Sequence, residues 1–153
     1  MTADGARIVV HRRLSAPPHK VFAAFADARL VSRWLTPSPD ISLSVLEFDF
    51  REGGTYRFAY GLPDGRKTVV RGSYRAIEPP SKVVFSWLIE PPDEHTGIDS
   101  VVTVTITPDR DGAVLVISHE RLTLPGAVAR HAEGWRAALD QLAAMLDRER
   151  AGA

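Results

Sequence analysis

The sequence predicts an α+β protein in which a curved antiparallel sheet of about six or seven strands wraps around one long C-terminal helix. Three observations carry this. Residues 41–120 read as strand after strand, separated by turn sequences and never by a helical stretch, which is the pattern of a meander and not of alternating βα units. Residues 125–148 place Val128, Ala132, Trp135, Leu139, Leu142 and Leu146 at steps of four and three, one continuous apolar stripe. Before the meander, one alternating segment gives way to two short segments of helical period.

Taken in order, "RIVVHRRL" (residues 7–14) sets Ile8, Val10 and Leu14 on one strand face, with Arg12 among them. An inward Arg12 needs a carboxylate or a ligand oxygen, because an unpaired buried guanidinium is too costly. In "SAPPHKVFAAFADARLVSRWLTP" the paired prolines suit a first helical turn, and Val21, Phe22 and Phe25 form a short apolar face. Asp27 can cap a second helix that buries Leu30, Val31, Trp34 and Leu35 and ends at Pro37.

The meander follows: "ISLSVLEFDF", the turn "REGGT", "YRFAY", the hairpin loop "GLPDG", "KTVVRGSYRAI", "EPPSK", "VVFSWLI", the longer loop "EPPDEHTGIDS", "VVTVTIT", "PDRDG" and "AVLVISHE". Thr103, Thr105 and Thr107 should face outward, opposite Val102, Val104 and Ile106. Tyr56, Phe58 and Tyr60 share a face, and the pattern does not say which. Glu47 and Asp49 also share one, which should meet water. The final helix should begin near Pro125. At 1.5 Å per residue its roughly 24 residues span about 36 Å, enough to cross a sheet. Gly134 in its interior costs about 1 kcal/mol relative to alanine. A close approach of helix to sheet would explain it. Trp135 beside it reads either as core or as ligand contact.

Composition narrows the function. The chain has 153 residues, 44% hydrophobic and 25% charged, ordinary for a globular protein, and reads as one domain (1–153, core about 7–148). Nineteen basic and nineteen acidic residues leave no formal net charge, which argues against a general nucleic-acid or anionic-membrane binder. The absence of cysteine excludes disulfides, thiolate metal sites, iron–sulfur clusters and cysteine nucleophiles. No apolar run is long enough for a membrane span, and "MTADGARIVVHRR" lacks the order of a secretory signal, so a cytoplasmic protein is expected. No G-x-S-x-G, H-E-x-x-H, phosphate-binding glycine loop or dinucleotide fingerprint is present, and no cofactor is expected. Asp93, Glu94 and His95 are consecutive in a proline-flanked loop, a spacing that does not make a metal site. Glu94, His95 and Asp99 are expected to decorate a mobile loop, a lid over the cavity mouth.

Four stretches together resemble a known family. "SAPPHKVFAAFAD", "RLVSRWLTP", "DFREGGTYRF" with its D-x-R-x-G-G turn, and "HAEGWRAALDQL" resemble, in order and spacing, the START-like helix-grip superfamily often called SRPBCC. Within it the chain looks most like the branch named after the activator of the heat-shock-protein ATPase, over about residues 7–148. The resemblance implies a sheet curved around the last helix with a cavity between them. It also implies binding or processing of apolar or aromatic small molecules, as in lipid carriers, hormone receptors and polyketide cyclases. It does not imply chaperone regulation, which in the namesake depends on a further domain.

The candidate cavity residues are Trp34, Phe58, Tyr74, Trp87, His119, Trp135 and Leu139. Aromatics with polar tips suit a pocket that is mostly apolar with a few fixed hydrogen-bonding groups. His119 shares a strand side with Leu115 and Ile117. It can orient a ligand, serve as acid or base, or be a structural histidine bonded within the protein. Glu120 points the other way, to solvent or to an arginine. Binding of an apolar or aromatic small molecule is the leading expectation. An enzyme of cyclase, aromatase or hydrolase type, with His119 as its acid–base group, is the first alternative. A protein-interaction module, with a filled interior and an apolar outer patch, is the second. The interaction module would include a homodimer of this chain.

Overall fold

The computed structural model describes residues 6–91, 100–122 and 126–152. The elements are β1 (Ala6–Leu14), α1 (Pro18–Ala26), α2 (Ala28–Trp34), β2 (Ser42–Phe48), β3 (Thr55–Gly61), β4 (Lys67–Glu78), β5 (Lys82–Ile89), β6 (Ser100–Asp109), β7 (Gly112–Leu122) and α3 (Ala127–Gly152). The strands form one antiparallel sheet in the order β1-β7-β6-β5-β4-β3-β2. Every neighbour is a hairpin partner except β1, which the α1–α2 connection separates from β2 at the opposite edge. The sheet curves and α3 lies along it, the helix-grip arrangement expected from the sequence.

Alternation decides what each strand buries. On β6, Val102, Val104 and Ile106 are buried, whereas Thr103 and Thr105 are half-buried and Thr107 is exposed. On β3, Tyr56, Phe58 and Tyr60 all point inward, which settles their face. On β2 the pairing passes from Val45↔Phe58 to Glu47↔Arg57, so Leu46 is one residue too many. The bulge throws Leu46 out to 52% exposure, and Phe48 packs against the core. Glu47 stays exposed and accepts a hydrogen bond from the Thr55 hydroxyl, while Asp49 pairs with Arg51 at 2.9 Å.

The "REGGT" turn needs both its glycines. Gly53 has φ of +84°, and a Cβ on Gly54 would sit 2.1 Å from the Asp49 carbonyl oxygen. In return the Gly53 N–H donates to the Tyr74 carbonyl at 2.8 Å, and the Tyr74 N–H donates to the Gly54 carbonyl at 2.9 Å. The β2–β3 corner is thereby stitched to β4.

The two short helices pack on the sheet, α1 against β6 and β7 and α2 against β2. Asp27 caps α2, its carboxylate accepting the Arg29 N–H at 2.8 Å. Trp34 donates its indole N–H to the Ala24 carbonyl at 3.0 Å and meets Phe25 edge-on at 4.9 Å, locking α2 to α1. On α3, Ala132, Trp135, Leu139, Leu142 and Leu146 are buried and Val128 is half-buried. The helix packs over β1 and β7 and against α2. Pro125, the expected start, lies outside the described residues. Arg12, in phase with the inner face of β1, reaches the rim and pairs with Asp140 of α3 at 2.5 Å. Glu120 points outward to Arg7 at 3.6 Å. The Gln141 amide donates to the Thr36 carbonyl at 2.8 Å and hydroxyl at 2.9 Å, tying α3 to the chain after α2. No described helix is long and apolar enough to cross a membrane.

Candidate functional site: a cavity between sheet and helix

A cavity of about 220 Å³ remains between the middle of α3, the inner face of β3–β5 and the α2–β2 connection. Trp135, His131, Gly134 and Ala138 form its helix side, and Tyr60, Val70, Trp87 and Ile89 its sheet side. Leu35, Thr36, Pro37 and Ile41 close it from the connection, and Leu62, Thr68 and Arg130 complete the wall. Pro37 and Arg130 are exposed, so the mouth lies there.

The walls are held by hydrogen bonds that use up nearly every polar tip. The Tyr60 hydroxyl donates to the Leu35 carbonyl at 3.0 Å, and burial pushes this phenol's pKa up, so it stays neutral. Thr36 donates its hydroxyl to the Ser38 carbonyl at 3.0 Å. Trp135 donates its indole N–H to Nδ1 of His119 at 3.0 Å. A nitrogen that accepts carries no proton, so His119 is the Nε2–H tautomer. Nε2 lies 2.8 Å from the Ser100 hydroxyl, which donates to the Trp87 carbonyl at 2.7 Å. One directed chain thus runs from α3 through β7 and β6 to β5, with a cavity tryptophan at each end.

His119 is fully buried within this chain. Burial, and secondly the nearby charge of His131, push its pKa down to about 3, so the ring is neutral at ordinary pH. The His131 ring stands edge-on to it at 4.8 Å and donates Nδ1–H to the Ala127 carbonyl at 2.7 Å.

Of the seven residues expected at the cavity, Trp87 and Trp135 line it. The other five do not. Trp34 is enclosed between α1 and α2 and bonded to Ala24. Phe58 and Tyr74 belong to an aromatic layer with Tyr56, Phe48 and Phe85. Leu139 is buried in the helix stripe beyond Trp135. His119 sits behind Trp135, with both nitrogens engaged. The two readings of Trp135 merge, since one side bonds into the core and the other faces the cavity. Gly134 needs a different explanation from a close helix–sheet approach. It faces the α2–β2 connection, where a Cβ would meet Pro37 Cβ at 3.4 Å, and it widens the cavity.

Two wall residues carry a signal in the sequence. His131 stands one helical turn before Trp135, on the same face. Tyr60 follows from the alternation of β3 once its buried face is known. Pro37, Ile41 and Leu62 come from connections, whose paths no periodicity encodes. Asp93, Glu94, His95 and Asp99 lie outside the described residues. Among the described residues no three His, Asp or Glu side chains are placed to hold a metal ion.

Comparison with known proteins agrees with this architecture. The family described as Activator of Hsp90 ATPase homolog 1-like protein matches residues 15–147. Protein CV1439 from Chromobacterium violaceum is similar in structure, with 31% identity, a TM-score of 0.80, and coverage of 92% of this chain and 96% of that one. The AHSA1 protein from Silicibacter pomeroyi has 26% identity, a TM-score of 0.83, and coverage of 94% and 99%. The Mll3558 protein from Rhizobium loti has 28% identity, a TM-score of 0.73, and coverage of 91% and 95%. No curated protein matches the chain. With nearly its whole length matched, and with the sheet, grip helix and cavity in place, the chain belongs to the family of Activator of Hsp90 ATPase homolog 1-like proteins.

Proposed function

We propose that the protein binds an apolar or aromatic small molecule of one or two rings in the cavity between sheet and α3. The observation that carries this reading is the cavity itself. Its volume of about 220 Å³ is left open although Trp87, Trp135 and Tyr60 surround it. An apolar cavity of about 150 Å³ accommodates benzene, and sites for drug-sized ligands begin near ~300 Å³. The flat rings offer dispersion contact to a flat ligand.

An unfilled interior supports this reading over an interaction module, which calls for a solid core. A cyclase, aromatase or hydrolase needs an acid–base group at the reacting centre. His119, the candidate, is neutral, buried and bonded at both nitrogens. That supports binding without turnover, in the cytoplasm that the sequence suggests.

The test is calorimetry with naphthalene as the probe. One-to-one saturable binding with a negative heat-capacity change is expected. Ala138→Phe, which fills the cavity from the helix side, should abolish it. If naphthalene fails to saturate the native protein, or binds the Ala138→Phe variant equally well, the reading is wrong.

A further inference from the structure

The cavity wall carries few polar groups, and most of their protons are spent within the protein. Tyr60 gives its hydroxyl proton to the Leu35 carbonyl, Thr36 gives its own to the Ser38 carbonyl, and Trp135 gives its N–H to His119. The Trp87 Nε1 is sealed, the one buried side-chain nitrogen or oxygen without a partner among the described residues. None of these protons is on offer to a ligand.

Thr68 differs. It lines the cavity near the start of β4. It pairs across the ladder with Tyr60 and stands two residues before Val70, and both of those are buried wall residues. Residues opposite each other on neighbouring strands, or two apart on one strand, share a face. The Thr68 side chain therefore turns toward the cavity with them, and it is half-buried there. Its hydroxyl bonds to no described residue, yet the sealed and unpartnered state belongs to Trp87 Nε1 alone among them. The Thr68 oxygen therefore keeps accessible surface and can be reached.

We propose that the Thr68 hydroxyl is a ligand anchor, and that the site takes a one- or two-ring aromatic with a single uncharged hydroxyl or carbonyl group at one end. This rests on the binding reading above and adds the ligand's polarity and its orientation. A threonine hydroxyl both donates and accepts, so it serves a phenol and a ketone alike. A charged group brings hydration that one hydroxyl cannot replace. With the polar end held at β4, the apolar body lies against Trp87, Trp135 and Tyr60, whose own polar tips are engaged or sealed.

The experiment compares 2-naphthol with 2-methylnaphthalene, which has nearly the same shape and no hydrogen-bonding group, on the native protein and on Thr68→Val at neutral pH. The valine variant replaces the hydroxyl by a methyl group of similar size. It should weaken 2-naphthol about three- to tenfold relative to 2-methylnaphthalene, the value of one hydrogen bond. Thr68→Ser, which keeps the hydroxyl, should restore the native ratio. On the native protein alone, intermolecular nuclear Overhauser contacts should join the Thr68 methyl group to the two ring protons flanking the naphthol hydroxyl, and not to the far ring. This reading stays decisive should Thr68→Val fail to fold. An unchanged affinity ratio in Thr68→Val, or contacts from the far ring, refutes the anchor while ligand binding stands. If neither compound binds the native protein, both fall.

Discussion

The indole N–H of Trp135 and Nδ1 of His119 meet at 3.0 Å across the seam between α3 and β7. This bond fixes the imidazole tautomer and points the proton of Nε2 at Ser100. It also holds the Trp135 ring as a cavity wall while its polar edge is satisfied elsewhere. The grip of helix on sheet is therefore directional as well as apolar. Rotating α3 would leave both an indole donor and an imidazole acceptor unpaired in the core, each costing about 1–3 kcal/mol.

Stability should fall in acid because of His119. In the unfolded chain the group titrates near 6.5, and in the folded protein near 3, with burial the main cause. Between those values the unfolded state binds one proton more, so stability declines as pH falls. The decline is at most about 1.4 kcal/mol per pH unit, and the contribution is complete above 6.5. Urea unfolding of the wild type and His119→Gln from pH 7.5 to 4 checks this. The variant should start less stable and lose less on acidification. Identical slopes would remove His119 as the cause.

Gly134 trades helix stability for space. Gly134→Ala should stabilise the protein by about 0.5–1 kcal/mol through helix propensity, because the new Cβ meets only Pro37 Cβ, at 3.4 Å. Gly134→Leu should obstruct the cavity and weaken naphthalene binding by tenfold or more on the order of one lost apolar contact face. Thermal melts and calorimetry on the two variants read these effects separately. A destabilised alanine variant would show that the contact with Pro37 cannot relax.

Gly72 and Gly65 should respond differently to alanine. A Cβ at Gly72 would lie 2.0 Å from the Ser86 carbonyl oxygen and 2.8 Å from the Tyr56 ring, whose hydroxyl donates to that same carbonyl at 2.6 Å. β4 and β5 must then separate beside Trp87, and Gly72→Ala should cost about 2–3 kcal/mol or more. At Gly65 a Cβ meets nothing within 4 Å, and the only penalty is its φ of +89°, about 1–2 kcal/mol. Urea midpoints of the two variants test the order, and equal losses would contradict it.

The fold was largely legible because it is written in periodicities. Alternation placed Thr103 and Thr105 outward, and the step of four and three placed Trp135, Leu139 and Leu142 beneath the helix. The site was less legible, because periodicity says that a side chain turns inward and not what it meets there. Trp87 and His119 both turn inward, yet one reaches the cavity and the other stops behind Trp135. That difference depends on the curl of the sheet, which brings distant strands to one helix. Trp34 misled for the same reason, since a tryptophan that fastens two short helices has the same local pattern as one that faces a ligand. The bulge at Leu46 and the stitching of Gly53 to Tyr74 are register events between strands, invisible along either one.

Placing β1 beside β7 has a consequence for the order of events during synthesis. The meander from β2 to β6 can zip up hairpin by hairpin as it leaves the ribosome. The first strand, although made first, has no edge to join until the last strand exists, and Arg12 waits 128 positions for Asp140. Ile8, Val10 and Leu14 must stay uncovered throughout that interval, so the N-terminal strand is the segment most exposed to misassociation in the nascent chain.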